Sequence, residues 1–403
     1  MTPESFAQKP PFGRAWLSHW KLDPAVLYLN HGTVGATPRR VLDRQQQLRD
    51  KMERHPSAFL LREVVAMVGT ASPGPGLLRS AAAQVARFVG ATPDNLGFVS
   101  NVTAGINAVL RAIPFQPGDE ILLLDHAYGA IAGGARVLGG ARGASIRWAK
   151  IPLPVEDSAQ IVRAIEEAVS PRTRLAILDH ITSSSALLLP IAEMTRALHR
   201  HGVPVLVDGA HAPGAVPVDV TAIGAEWYAA NLHKWAWAPR SCGFLHVRSD
   251  LHQGLHAPIL SWGVDQGLPA EFDWQGTSDP TPMLAAPEGI AMLEELGTEA
   301  VQRHNHCWAW TAATALRDEL GATLLAAENL VGTMATVMLP ASFGSTTADA
   351  VWLRDRLLFD KGIEVQVHDY QGRIHLRVSG QIYLDDRDIE TLLRSLRSLV
   401  PAS

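Results

Sequence analysis

Apolar and polar positions along the chain fall into two alternating rhythms. LLRSAAAQVARFVG carries Leu77, Ala81, Val85, Phe88 and Val89 at helical spacing and predicts an amphipathic helix. NLGFVS (95–100) then predicts a short strand, and TAGINAVLRAI (103–113) a helix close behind it. The turn PGDE (117–120) leads into the apolar strand ILLLD (121–125). The pattern repeats with helix IVRAIEEAVS (161–170), strand RLAILDHI (174–181), helix IAEMTRALHRHG (191–202) and strand VPVLVDGA (203–210). Strands apolar on both faces, alternating with helices, predict a mainly parallel sheet sandwiched by helices.

The tail changes character. A long helix at 298–320 precedes the strand TMATVML (333–339), the helix 347–362, the strands IEVQVHD and RIHLRVSG, and a last helix near 386–399. Such interleaving predicts a smaller C-terminal α+β domain. The chain therefore divides into an N-terminal segment 1–24, a large α/β domain 25–290 and a small domain 291–403, with the boundary inside or beside a helix.

Composition narrows the class. The chain has 403 residues, of which 47% are hydrophobic and 19% charged, enough to bury sizeable cores. The 35 Lys+Arg against 40 Asp+Glu give a net charge of −5 and no basic field for nucleic acid. Two cysteines, Cys242 and Cys307, exclude a disulfide framework and fit a reducing compartment. No apolar run approaches the roughly 18 residues of a membrane span. MTPESFAQKPPFGRAW lacks the basic and apolar regions of a signal peptide, so a cytoplasmic protein without a membrane partner is expected.

The chain contains no G-x-x-x-x-G-K-[ST] phosphate loop, G-x-S-x-G elbow or H-E-x-x-H zinc helix. GPGLL (74–78) lacks the third glycine of a dinucleotide fingerprint. Neither His252/His256 nor His304/His306/Cys307 has convincing further ligands, so no metal is expected.

The informative segment is VPVLVDGAHAPGAVPVD…WYAANLHKWAWAPRSCGFL. Asp208 ends a buried strand, at the carboxyl edge where open α/β sheets bind ligands, and His211 follows three residues on. Lys234 lies between His233 and a tryptophan-rich stretch, a weakly polar setting that lowers a lysine pKa and makes it a nucleophile. Each part has a structural reading too: an acid at a strand end caps helices, and a lysine beside aromatics snorkels. The combination supplies what a pyridoxal phosphate (PLP) site requires: a Schiff-base lysine, an acid for the ring nitrogen and a helix N-terminus for the phosphate. The tryptophans 227, 235, 237, 262 and 274 suggest either an aromatic pocket wall or core packing.

D-G-A-H followed by N-L-H-K-W resembles the PLP-dependent class V aminotransferase family of fold type I, and within it the isopenicillin N epimerase-like subgroup. YLNHGTVGATP, HPSAFLLRE, FVSNVTAGINAVLRAI, PGDEILLLDHAYGA, LDHITSSSALLLP, DWQGTSDPTPMLAAPEGIAMLEELG and HLRVSGQIYLDD extend the resemblance from about residue 25 to 399. It implies Lys234 as the Schiff-base lysine and Asp208 as the partner of the pyridine nitrogen. His211 is expected near the ring oxygen or Asp208. Val102, Thr103 and His233 are expected at the phosphate, and Thr277 from the neighbouring subunit of a homodimer. Either Tyr128 or His126 stacks on the ring. Ser183 stands where relatives carry an asparagine or glutamine, which puts its ring contact in doubt. Arg377 is expected to pair with the substrate α-carboxylate, with Asn30, His31 and Arg62 lining the substrate side.

The resemblance implies a reaction at Cα of an amino acid, through a Lys234 Schiff base and a carbanion, of an epimerase-like kind. A β-eliminating lyase acting on a cysteine-derived substrate is the first alternative and an aminotransferase the second. A non-catalytic scaffold is the remote one, disfavoured by retention of Asp208, Lys234 and Arg377 together. Segment 321–350 contains no cysteine, which counts against a desulfurase.

Overall fold

The structure, a computed structural model, describes residues 11–66 and 75–400. GPGLL therefore begins outside the described residues. Its centre is a seven-stranded sheet. From one edge the strands are Leu96–Val99, Gly243–Val247, Trp227–Asn231, Val205–Asp208, Thr173–Asp179, Glu120–Leu124 and Ser145–Ala149. Gly243–Val247 runs antiparallel to both neighbours; the remaining pairings are parallel. Every residue of Leu96–Val99, Glu120–Leu124, Val205–Asp208, Trp227–Asn231 and Gly243–Val247 is buried, as a sheet covered on both faces requires. Ser145–Ala149 closes one edge and is partly exposed.

The helix starting at Leu77 runs Leu77–Phe88, but its buried face is Leu78, Ala81, Ala82, Val85 and Ala86. Leu77 is one of the exposed apolar residues. Three strands of this sheet are not visible in the periodicity. Ser145–Ala149 is mixed in polarity because it lies at an edge. Trp227–Asn231 and Gly243–Val247 are hidden inside the motif-rich segment.

A second, four-stranded antiparallel sheet follows, in the order Gln366–Tyr370, Arg373–Ser379, Met334–Met338, Thr323–Leu324. Helix Thr298–Leu320 packs on it. The two-residue strand Leu27–Tyr28 pairs in parallel with Ile363–Glu364, so the start of the chain is tied to its last third. Among the described residues, no helix is long and apolar enough to cross a membrane.

Close backbone approaches hold the lysine loop. Gly35 has φ +70°, and a Cβ there would lie 1.9 Å from the His233 carbonyl oxygen. Gly289, within helix Thr281–Leu296, faces the Ala236 carbonyl, 2.4 Å from where its Cβ would be. Trp235 and Trp237 are fully buried between these contacts. Gly35→Ala is expected to cost about 1–3 kcal/mol of stability, since it meets both a left-handed backbone and a blocked space. Denaturant unfolding measures this; an unchanged midpoint would mean that the turn relaxes freely.

Candidate active site

Between the carboxyl edge of the large sheet and the face of the small one lies a cavity of about 380 Å³. Asp208 and Asp179 end adjacent parallel strands in direct register and both line it. Lys234 enters from the loop after Trp227–Asn231, and Arg377 from the strand Arg373–Ser379. Helix Val102–Ala112 presents its N-terminus through Asn101, Val102 and Thr103.

Burial sets the electrostatics. Lys234 is pushed down to about 7, by burial first and then by the Arg377 charge, while Asp208 acts in the opposite direction. Its Nζ lies 3.1 Å from His211 Nε2. Burial also holds His211 well below the usual histidine range, with Lys234, Arg377 and His233 adding to the effect. Asp208 is raised to about 6 by burial, with the Ala210 N–H and Lys234 pulling it back. Asp179 is pushed well above the carboxylate range by burial and by Asp208 beside it. Burial and mutual repulsion thus disfavour charging both carboxylates at once.

Arg377 is buried, and its pKa is lowered to about 10 by desolvation, so it stays charged near neutrality. Its guanidinium donates to the Ser183 carbonyl and to Thr33 Oγ1 at 2.7 Å, and more weakly to Asn30 Oδ1 at 3.4 Å. Its Nε has no partner, and no Asp or Glu among the described residues forms an ion pair with it. A desolvated cation without a counter-charge is costly, and an anionic ligand removes that cost.

Of the residues singled out from sequence, Val102, Thr103, Tyr128, Ser183, Asp208, His211, His233, Lys234 and Arg377 line one cavity. Tyr128 is half exposed there, whereas His126 faces a neighbouring chamber. The Val102 N–H is already donated to Asn231 Oδ1 at 2.9 Å, and Ala104 N–H to the capping Asn101 side chain at 3.0 Å. Thr103 N–H is left without an acceptor among the described hydrogen bonds. His233 Nδ1 is bonded to the Cys242 carbonyl at 3.0 Å, and burial lowers the ring to about 4.

Other expected residues lie elsewhere. His31 does not line the cavity: its Nδ1 contacts the Tyr383 hydroxyl at 3.2 Å and its Nε2 the Lys234 carbonyl at 2.9 Å, so one ring nitrogen holds the lysine loop and the other ties it to Tyr383. Asn30 stands behind Arg377 and donates to Glu364 at 3.0 Å. Arg62 is exposed on the one-turn segment Phe59–Val64 and is not among the lining residues. Thr277 is exposed and lines nothing in its own chain's cavity. None of the five tryptophans lines it; Trp262 is 80% exposed, and Trp227, Trp235 and Trp237 belong to the core.

Thr33, Asn101, Asp179, Asn231 and Gln366 also line the cavity and do not stand out in the sequence reading. Asp179 carries a readable signal, since it ends RLAILD as Asp208 ends VPVLVD. The other four are ordinary polar residues until the fold brings them together.

The cavity fits PLP. A lysine held near neutral pKa, a carboxylate and a helix N-terminus face one space, and His211 Nδ1 is buried there without a partner.

Comparison with known proteins agrees. The family profile Aminotransferase class-V matches residues 30–365. An isopenicillin N epimerase of Streptomyces clavuligerus is 33% identical over 94% of this chain and 96% of its own length. A putative L-cysteine desulfhydrase 2 of Oryza sativa subsp. japonica is 32% identical over 94% of this chain and 85% of its own. Among solved structures, a C-DES variant with glycine covalently linked to its PLP cofactor superposes with a TM-score of 0.80 at 19% identity, covering 94% of this chain and 98% of that one. A cysteine desulfurase from Thermococcus onnurineus NA1 superposes with a TM-score of 0.79 at 18% identity, covering 97% and 98%. The fold is that of these PLP enzymes, fold type I.

Only an uncharged amine attacks the PLP carbonyl, so covalent capture of PLP by the apoprotein should accelerate as pH rises through about 7, far below an ordinary lysine. Arg377→Leu removes a repelling cation and should move that midpoint upward. Stopped-flow absorbance across pH reads both; a wild-type midpoint near that of free lysine would contradict the assigned environment.

Proposed function

The chain belongs to the class-V aminotransferase family and is a PLP-dependent enzyme; from that premise we propose that it removes the Cα proton of a free α-amino acid and acts as an epimerase. The observation that carries this reading is the buried Arg377 cation without an acidic partner, in the same cavity as an amine held near pKa 7.

Arg377 receives the α-carboxylate through a planar pair of N–H groups, with Thr33 and the Ser183 carbonyl fixing the guanidinium plane. That anchor sets the direction of the Cα bonds. PLP, when bound, supplies an electron sink for the pair left at Cα. Lys234 Nζ, uncharged in about half of molecules at its pKa, accepts the proton, and neutral His211 at 3.1 Å accepts a hydrogen bond from it without adding charge. Asp208 is the anion for the ring nitrogen, and a cationic ring nitrogen beside it offsets the burial that raises it. Thr103 and the helix N-terminus hold the phosphate, with His233 beside them; neutral His233 presents Nε2 as an acceptor, so it serves the phosphate once protonated. Tyr128 covers the ring face.

A homodimer, in which Thr277 of each chain serves the other's site, accords with the exposure of that residue. Two unpaired cysteines accord with a cytoplasmic location.

A second reading has its own support. Neither cysteine lines the cavity: Cys242 is buried in the core and Cys307 lies exposed on helix Thr298–Leu320. With no thiol to receive sulfur, a cysteine-type substrate would lose it to solvent by β-elimination, as the names of the desulfhydrase relatives suggest.

Incubation of the holoenzyme with L-amino acids in D₂O separates the two. Epimerisation incorporates deuterium at Cα together with the D-isomer; elimination yields a keto acid and ammonia. Absence of both would overturn the proposal. Lys234→Ala should lower turnover by roughly 10²–10⁴-fold while the protein stays folded, and Arg377→Leu should act mainly through KM.

A further inference from the structure

Beside the Lys234 cavity lies a smaller chamber of about 130 Å³, and Ser184 lines both. Strand pairing places it. Gln366, His368 and Tyr370 share one face of their strand, opposite Arg377, His375 and Arg373 in register. Gln366 and Arg377 line the main cavity, while His368, His375 and Tyr370 line the chamber with Asp125 and His126. Its histidine pair is thus two residues along the ladder from Arg377, roughly 7 Å away.

The chamber presents acceptors. His126 is bonded to the Ile151 carbonyl while its Nε2 is buried and unpartnered, so the proton sits on Nδ1 and Nε2 offers a lone pair. His375 Nδ1 donates to the Arg373 carbonyl at 3.2 Å, which leaves a lone pair on its Nε2. Burial keeps both rings below the ordinary histidine range and therefore neutral at pH 7. The Asp125 carboxylate lies 3.8 Å from His126 Nε2, and the Tyr370 phenol is turned toward Asp125. The His126 and Tyr370 rings stand 5.2 Å apart, and those of His368 and His375 5.6 Å apart. Among the described residues, no three His, Cys, Asp or Glu side chains are placed to hold a metal ion. Lone pairs, ring faces and one carboxylate complement an organic nitrogen cation.

We propose that this chamber is the side-chain subsite of the enzyme and takes a cationic, nitrogen-bearing side chain about as long as that of lysine. The inference rests on the proposed seat of the α-carboxylate at Arg377. From that anchor a four-carbon chain passes Gln366 and brings its terminal nitrogen to Asp125 and the two imidazoles.

The holoenzyme titrated with L-lysine, L-norleucine and L-2-aminoadipate, followed by the absorbance of the bound cofactor, tests it without depending on turnover. Lysine should bind about tenfold more tightly than norleucine, and 2-aminoadipate most weakly. Asp125→Asn should bring lysine down to the affinity of norleucine and leave norleucine unchanged; His375→Leu serves if that variant does not fold. Equal binding of lysine and norleucine, tightest binding of 2-aminoadipate, or a lysine preference that survives both substitutions overturns the inference. Responses to all three without preference remove only the chamber and keep the carboxylate seat. No response to any of them overturns the seat at Arg377 and the chamber with it.

Discussion

The Arg377 guanidinium is buried with no acidic ion-pair partner among the described residues, and much of the electrostatics of the site follows from that desolvated charge. Its field, added to burial, holds Lys234 near neutral pKa and keeps His211 uncharged. An exposed arginine would be screened and would add little to either shift, which burial begins. The same cation favours an anionic ligand, because a negative charge offsets the cost of having removed the guanidinium from water. Asp208 and Asp179 provide the counterweight on the opposite wall. Side by side at the ends of two parallel strands, they are both raised by burial, and Asp208 raises Asp179 further.

Keeping these charges dry requires backbone packed tightly around the lysine loop. Gly35, Gly289 and the buried pair Trp235 and Trp237 provide it, and both His31 ring nitrogens are used in the same frame. The tryptophans therefore act on the chemistry indirectly. They exclude water from around Lys234 without touching the cavity, which explains why a tryptophan-rich stretch accompanies a low lysine pKa even though no indole lines the site.

Much of this arrangement is legible in the order of the residues. The β–α alternation puts Asp208 at the carboxyl edge of a buried strand, and such edges are where ligands bind. Lys234, His211 and Arg377 stand out through motif resemblance, and all three meet Asp208 in one cavity. Asp179 obeys the same strand-end rule as Asp208 and lies in the segment LDHITSSSALLLP, although the resemblance assigns it no role. His31 adjoins Asn30 in a motif that points to the substrate side, but a buried imidazole with two satisfied nitrogens is scaffold.

Periodicity and local motif are properties of contiguous residues, so the sequence alone determined most of the helices, the mainly parallel sheet without three of its strands, and the acid and lysine suited to PLP. Side-chain environment is a property of residues far apart in the chain. That Arg377 lacks a counter-ion, that Thr33 and Ser183 orient it, and that His126 shares a chamber with His368 and His375 depends on pairing between strands separated by up to hundreds of positions. Desolvation acts on the whole neighbourhood of a group and not on its neighbours in the chain, which is why only the tertiary structure decided the charge states of the site.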